Sequence, residues 1–259
     1  MKGKTVITMK TRLLKGLSLC FALVMLLCAC SKVPTMKMKD GVYVNKKTKT
    51  SYTHVSSCYR ANEYVDQAVA KIEPKDGQEI LLYAIAGMDG QTWLCDENFS
   101  VYCAVGEAPP ALWEMSVNMV YINKTVNASY TVQQIGDAQK IAKLIDSYQN
   151  GVYLDYADIT HADVTVKPNP TRYDIVFAGP TLSYYLDYLQ FEHEVQVWEL
   201  VTNADQFTSS YPGVEVTYET YKSETYAVYH FGKHLMYNRE TGRCYPVDEI
   251  LAPYFTEES

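Results

Sequence analysis

Residues 213–221 read GVEVTYETY, with Val214, Val216 and Tyr218 alternating against Glu215, Thr217 and Glu219. A period of two marks a strand with one face in a core and the other in water. The same texture recurs in YDIVFA (173–178), EVQVWEL (194–200) and YAVYHF (226–231). KPNPT, AGP, SSYPG and KSE separate these runs with turn-forming residues. The connections are too short for helical crossovers, so the strands are expected to pair mainly antiparallel. Composition agrees: 23 Tyr stand against 7 Phe and 3 Trp, and tyrosine suits pleated surfaces that are half wet.

One stretch breaks this texture. After SYTVQQIG, Asp137 is placed to cap a helix reading AQKIAKLIDSYQ, with Ile141, Leu144, Ile145 and Tyr148 on one face. Asn150-Gly151 is expected to end it through a left-handed residue. The fold class expected is therefore α+β, a mainly antiparallel, Tyr-rich sheet with one clear amphipathic helix (137–149) packed on it. A second helix is read at NEYVDQAVAKI (62–72), and a short one from Val247 to Ala252, ahead of Pro253. VYVNKKTKTSY (42–52) and LMYNRETGRCY (235–245) both read as hairpins, Asn opening the turn and Gly242 suited to a left-handed position. Their three shared identities do not amount to a repeat. The organisation expected is a leader (1–29), a tether (30–40), a β-rich region (41–122) and an α+β region (123–259).

The leader rests on the first thirty residues. Lys2, Lys4, Lys10, Arg12 and Lys15 precede an apolar run, LSLCFALVMLLCA (17–29), that is shorter than the ~20 residues of a membrane span. A basic segment followed by a short apolar one is the pattern of a secretory signal. Leu27-Cys28-Ala29-Cys30 resembles the lipobox of bacterial lipoproteins. By that resemblance Cys30 accepts a diacylglyceryl group and becomes the first residue of the mature chain. The resemblance implies anchorage in the cell envelope on the extracytoplasmic side, and acyl chains hold a protein there durably. Losing the five basic residues takes the formal net charge from −7 to −12. So acidic a chain is a poor partner for nucleic acid.

Chemistry is harder to find. Cys58, Cys95, Cys103 and Cys244 remain after cleavage, enough for two disulfides or four buried thiols. His230 and His234 bracket a glycine within strand-like sequence, and His193 sits between two acids; none has metal-site spacing. Asp155, Asp158 and Asp163 lack the calcium-loop pattern. No G-x-S-x-G, H-E-x-x-H or phosphate-cradling glycine loop is present. Neither metal nor cofactor is expected, and the balance leans away from an enzyme. The function expected is that of a tethered binding or accessory protein recognising a peptide, a glycan or an envelope partner. The alternative is a tethered hydrolase whose carboxylates meet only in three dimensions. The aromatic residues named for binding are Tyr184, Tyr185 and Tyr188 in LSYYLDYLQF (182–191), with Tyr218, Tyr221, Tyr226 and Tyr229 in the later strands. Parity puts Tyr184 and Tyr188 on one face and Tyr185 on the other. A deep pocket with converging carboxylates or histidines favours the enzyme; a shallow Tyr-lined face favours binding.

Overall fold

The computed structural model describes residues 33–73, 77–125, 127–161, 172–202 and 214–255. Strand β1 (Thr35–Lys39) turns through Asp40 and Gly41, both at positive φ, into β2 (Val42–Asn45). β3 (Ser51–His54), β4 (Tyr59–Ala61), β5 (Tyr64–Ile72), β6 (Ile80–Ile85), β7 (Trp93–Cys95) and β8 (Val101–Ala104) follow. Seven of these eight form a closed barrel in the order β1-β2-β3-β8-β7-β6-β5. The circle is shut by β1 lying parallel to β5, with Thr35 opposite Lys71 and Met36 opposite Ile72. Met36, Ala70, Ile72, Leu82, Leu94 and Tyr102 fill the interior, so the barrel is a packed core and not a channel.

The chain then adds β9 (Met119–Thr125), β10 (Ser129–Ile135), helix α1 (Ala138–Asn150), β11 (Leu154–Asp155), helix α2 (Tyr156–His161), β12 (Arg172–Ala178) and β13 (Leu182–Gln190). β14 (Gln196–Leu200), β15 (Glu215–Tyr221), β16 (Glu224–His230), β17 (His234–Asn238) and β18 (Arg243–Pro246) complete it. β10-β9-β12-β13-β17-β18-β11 make a large sheet, and β14-β16-β15 a small one. β4 leaves the barrel to pair with β13, Arg60 lying opposite Ser183. One core cluster consequently joins barrel residues such as Tyr83 and Trp93 to the large sheet.

Parity divides the central strands of that sheet. Val120, Ile122, Tyr173, Ile175, Phe177, Leu182, Tyr184, Leu186 and Tyr188 point into the core, where Ile141, Leu144 and Tyr148 of α1 join them. The intervening residues of β9, β12 and β13 line the opposite face.

Several expectations are corrected here. The α+β class is overturned, because strand outweighs helix 51% to 10% and the N-terminal half is a closed barrel. Helix α1 is where it was expected, its Asp137 Oδ1 accepting from the Gln139 and Lys140 amides at 2.9 Å. Gly151, however, has φ −75° and is extended. It is needed because a Cβ there would stand 1.8 Å from the Ser147 carbonyl oxygen. Residues 62–72 hold strand β5, not a helix, with its register broken near Ala68 and Ala70. The last helix is a single 3₁₀ turn, Ala252–Tyr254, which contains Pro253 instead of stopping before it. Both hairpins form. Asn45 Oδ1 accepts from the Lys47 and Thr48 amides, Asn238 Oδ1 from those of Glu240 and Thr241, and Lys49 and Gly242 take the matching left-handed positions.

Candidate functional site: a trough on the open face of the large sheet

The face of β9, β12 and β13 turned away from α1 carries two adjoining cavities, and Tyr185 lines both. The first has a volume of about 400 Å³. Its floor is Val176, Ala178 and Gly179, and its walls are Asn62, Asn118, Tyr121, Asn123, Thr131 and Ser183. Two of these polar groups are committed to the frame: Asn62 Nδ2 donates to the Gly179 carbonyl at 2.7 Å and Ser183 Oγ donates to Asn62 Oδ1 at 2.5 Å. Thr131 Oγ1 donates to Asn123 Oδ1 at 2.8 Å, which orients the Asn123 amide along the wall.

The second cavity, about 330 Å³, is charged. Asp174 and Asp187 are cross-strand partners, and their carboxyls lie within hydrogen-bonding reach of one another. Arg239 grips both oxygens of Asp187, its Nη2 at 2.7 Å from Oδ1. Arg172 Nε stands 3.6 Å from Asp174. Burial lifts the Asp174 carboxyl above its ordinary value; Arg172 opposes this and Asp187 adds to it. Burial also lifts the Tyr185 hydroxyl, with Arg60 opposing and Asp174 adding. Arg60 reaches this space because β4 pairs in register with β13. Phe99 forms a rim and is held at φ +61°. The Asp96 turn fixes it: Asp96 Oδ1 accepts from the amides of Asn98 and Ser100, and the Phe99 carbonyl accepts from Ala61.

Of the tyrosines named from sequence, the structure places only Tyr185 in this trough. Tyr184 and Tyr188 are core side chains, as is Tyr229 under the small sheet, and the three are withdrawn from any binding face. The reason is parity: each shares its strand face with residues such as Leu186 or Ala227 that are almost wholly buried. Tyr218 and Tyr221 are exposed on the small sheet, and Tyr226 is half-buried there, edge-on to Trp198 at 5.9 Å. Cys30 lies outside the described residues. Among those described, no helix is long and apolar enough to cross a membrane.

The other candidates resolve plainly. The histidines serve local pairs: His230 Nδ1 is 3.3 Å from Glu194 and its Nε2 is 2.8 Å from Thr217 Oγ1, while His234 Nδ1 is 2.5 Å from the Tyr188 hydroxyl. Asp155 pairs across to Arg243, Asp158 lies in α2, and Asp163 lies outside the described residues. Among the described residues no group of three His, Cys, Asp or Glu side chains could hold a metal ion. The four cysteines are free and buried. Burial pushes the Cys95 and Cys244 thiols up to about 12, which keeps them protonated and unreactive near neutrality.

Arg60, Arg172, Asp174, Asp187, Arg239, Asn118 and Asn123 were not singled out from the sequence. The signal for two of them was present. A hairpin through AGP that sets Ala178 opposite Ser183 also sets Asp174 opposite Asp187. Arg172 opens β12 itself, while Arg60, Asn118, Asn123 and Arg239 lie in or beside β4, β9 and β17, which pair with β12 or β13 from distant parts of the chain. No family model, curated protein or solved structure matches the chain.

Proposed function

We propose that this is a lipid-anchored, extracytoplasmic binding protein, tethered to the cell envelope through Cys30, which captures a peptide, glycan or envelope partner in the Tyr185 trough. The observation that carries the reading is the trough itself: an aromatic ring at the join of an amide-rich half and a charged half. Concave sites with a few oriented polar groups are where proteins take small ligands and chain ends. The lipobox resemblance supports the anchor.

The hydrolase reading has one observation in its favour, the Asp174–Asp187 pair. Its geometry argues against that use. Carboxylates that cleave a glycosidic bond stand roughly 5–9.5 Å apart to admit the sugar and a water, whereas these two are within hydrogen-bonding reach of each other. Arg239 also occupies both oxygens of Asp187. The test is capture of envelope glycans, peptides and proteins by the full chain in mild detergent. Tyr185→Ala should abolish capture with the fold intact. Undiminished capture by that variant removes the trough from the reading, and turnover that is lost in Asp174→Asn replaces it with the hydrolase.

A further inference from the structure

The two halves of the trough differ enough in chemistry to specify a class of ligand, an inference that rests on the binding reading above. Arg60, Arg172 and Arg239 face Asp174 and Asp187 in the charged half, an excess of one positive charge. Arg239 is committed to Asp187 and Arg172 stands beside Asp174. The Arg60 guanidinium pairs with no carboxylate among the described residues. It lies on the open face because its register partner is Ser183, two residues from Tyr185. A guanidinium directed into a concave space is suited to a carboxylate, sulfate or phosphate group on a ligand, which it can grip through two parallel hydrogen bonds.

The neutral half narrows the rest of the ligand. Its walls offer the side chains of Asn118, Asn123, Tyr121 and Thr131 above a floor of small apolar residues. Planar amides and hydroxyls can each donate and accept, as a neutral hydroxyl-rich molecule requires, and the Tyr185 ring supplies a flat apolar surface for a sugar face. An extended peptide recognised by its main chain needs an unpaired strand edge. The site has none to offer: β9 is flanked by β10 and β12, β12 by β9 and β13, and β13 by β12 on one side and by β4 and β17 on the other. Recognition here proceeds through side chains alone.

We infer that the trough binds an anionic saccharide, with neutral sugar against Tyr185 and the Asn123 wall and the acidic group on Arg60. The test uses the full chain in mild detergent against length-matched neutral, carboxylated and sulfated oligosaccharides, with a library of short peptides alongside. Acidic sugars should be preferred over neutral ones, and the preference should shrink as salt is raised. Arg60→Ala should reduce that preference about tenfold, the loss expected for one charge-assisted contact, and Arg60→Lys should restore part of it. Carboxylated and sulfated sugars both satisfy the inference, and their ranking identifies the acid. Equal binding of neutral and acidic sugars, or a preference unchanged in Arg60→Ala, overturns the assignment of the anion while Tyr185-dependent capture still stands. Tyr185-dependent capture of peptides with no sugar bound overturns the ligand class alone. No capture from any set overturns both the inference and the reading beneath it.

Discussion

Tyr184 and Tyr185 are neighbours with opposite fates. Tyr184 packs edge-on to Tyr59 at 4.9 Å, and its hydroxyl donates to Glu240 at 3.2 Å. Tyr184→Ala should cost about 3–5 kcal/mol, as for other buried rings, seen as a large drop in the denaturant midpoint. Tyr185→Ala should cost much less stability and at least about tenfold in binding, since hot-spot aromatics exceed that loss. If both variants lose stability equally, Tyr185 is another core residue. Asp174 makes a different prediction. Its carboxyl is lifted above the ordinary 3.8 by burial, against the pull of Arg172. The folded state therefore holds this proton more tightly than the unfolded chain does. The contribution to stability is complete below about pH 3.8 and is lost as pH rises through the lifted value. Asn stays neutral throughout, so the stability of Asp174→Asn relative to the parent should improve as pH goes from about 3 to about 7. A difference that does not change with pH contradicts the assignment. At this scale alternation alone separated Tyr184 from Tyr185. It could not find Arg60, because nothing local to Arg60 shows that its strand abandons the barrel for β13.

Elements were legible where their signals are local. Helix α1 carries an acidic cap and a clean apolar stripe, and both act as read. Asp137→Ala should cost about 1 kcal/mol by removing the two amide contacts at the N-terminus. Gly151→Ala should also destabilise, through the close approach of Ser147 and not through a left-handed backbone, and a neutral result would dismiss that contact. The β15–β16 turn is a further test. Lys222 and Ser223 sit at φ +50° and +70°, where L-residues are strained. Replacing Ser223 with Gly should relieve part of that strain and stabilise the protein by up to roughly 1 kcal/mol, read as an upward shift in thermal midpoint. β5 shows how the same reasoning fails. Tyr64, Ala68, Ala70 and Ile72 do alternate toward the core, but Asp66 interrupts that set and Val65 and Val69 lie exposed on the other face, so the apolar residues recur at helix-like spacings.

The barrel was not foreseen at all. Several of its strands are three or four residues long, too short to show a period, and its closure joins Thr35 to Lys71 across a separation that no local pattern records. Strand texture in the C-terminal half was read correctly, and it invited an architecture with too much weight on one helix. The proposed anchor belongs to this scale too. Cys30→Ala should release the protein from membranes and abolish lipid labelling, while Cys28→Ala should leave both intact; the opposite pattern would move the acceptor to Cys28. Should Cys30 carry the lipid, only residues 31–34 separate it from β1, a reach of at most about 3.6 Å per residue. The strand that seals the barrel is then also the one fastened to the membrane. In that case, when a bound partner drags on the trough, tension enters the fold at the N-terminal end of β1. The cross-strand pairings of β1 with β2 and β5 are then the first to bear it. If the proposed tether and trough both act, the seam that closes the barrel is the mechanical fuse between ligand and membrane, and the force at which it slips sets how hard a captured partner can pull.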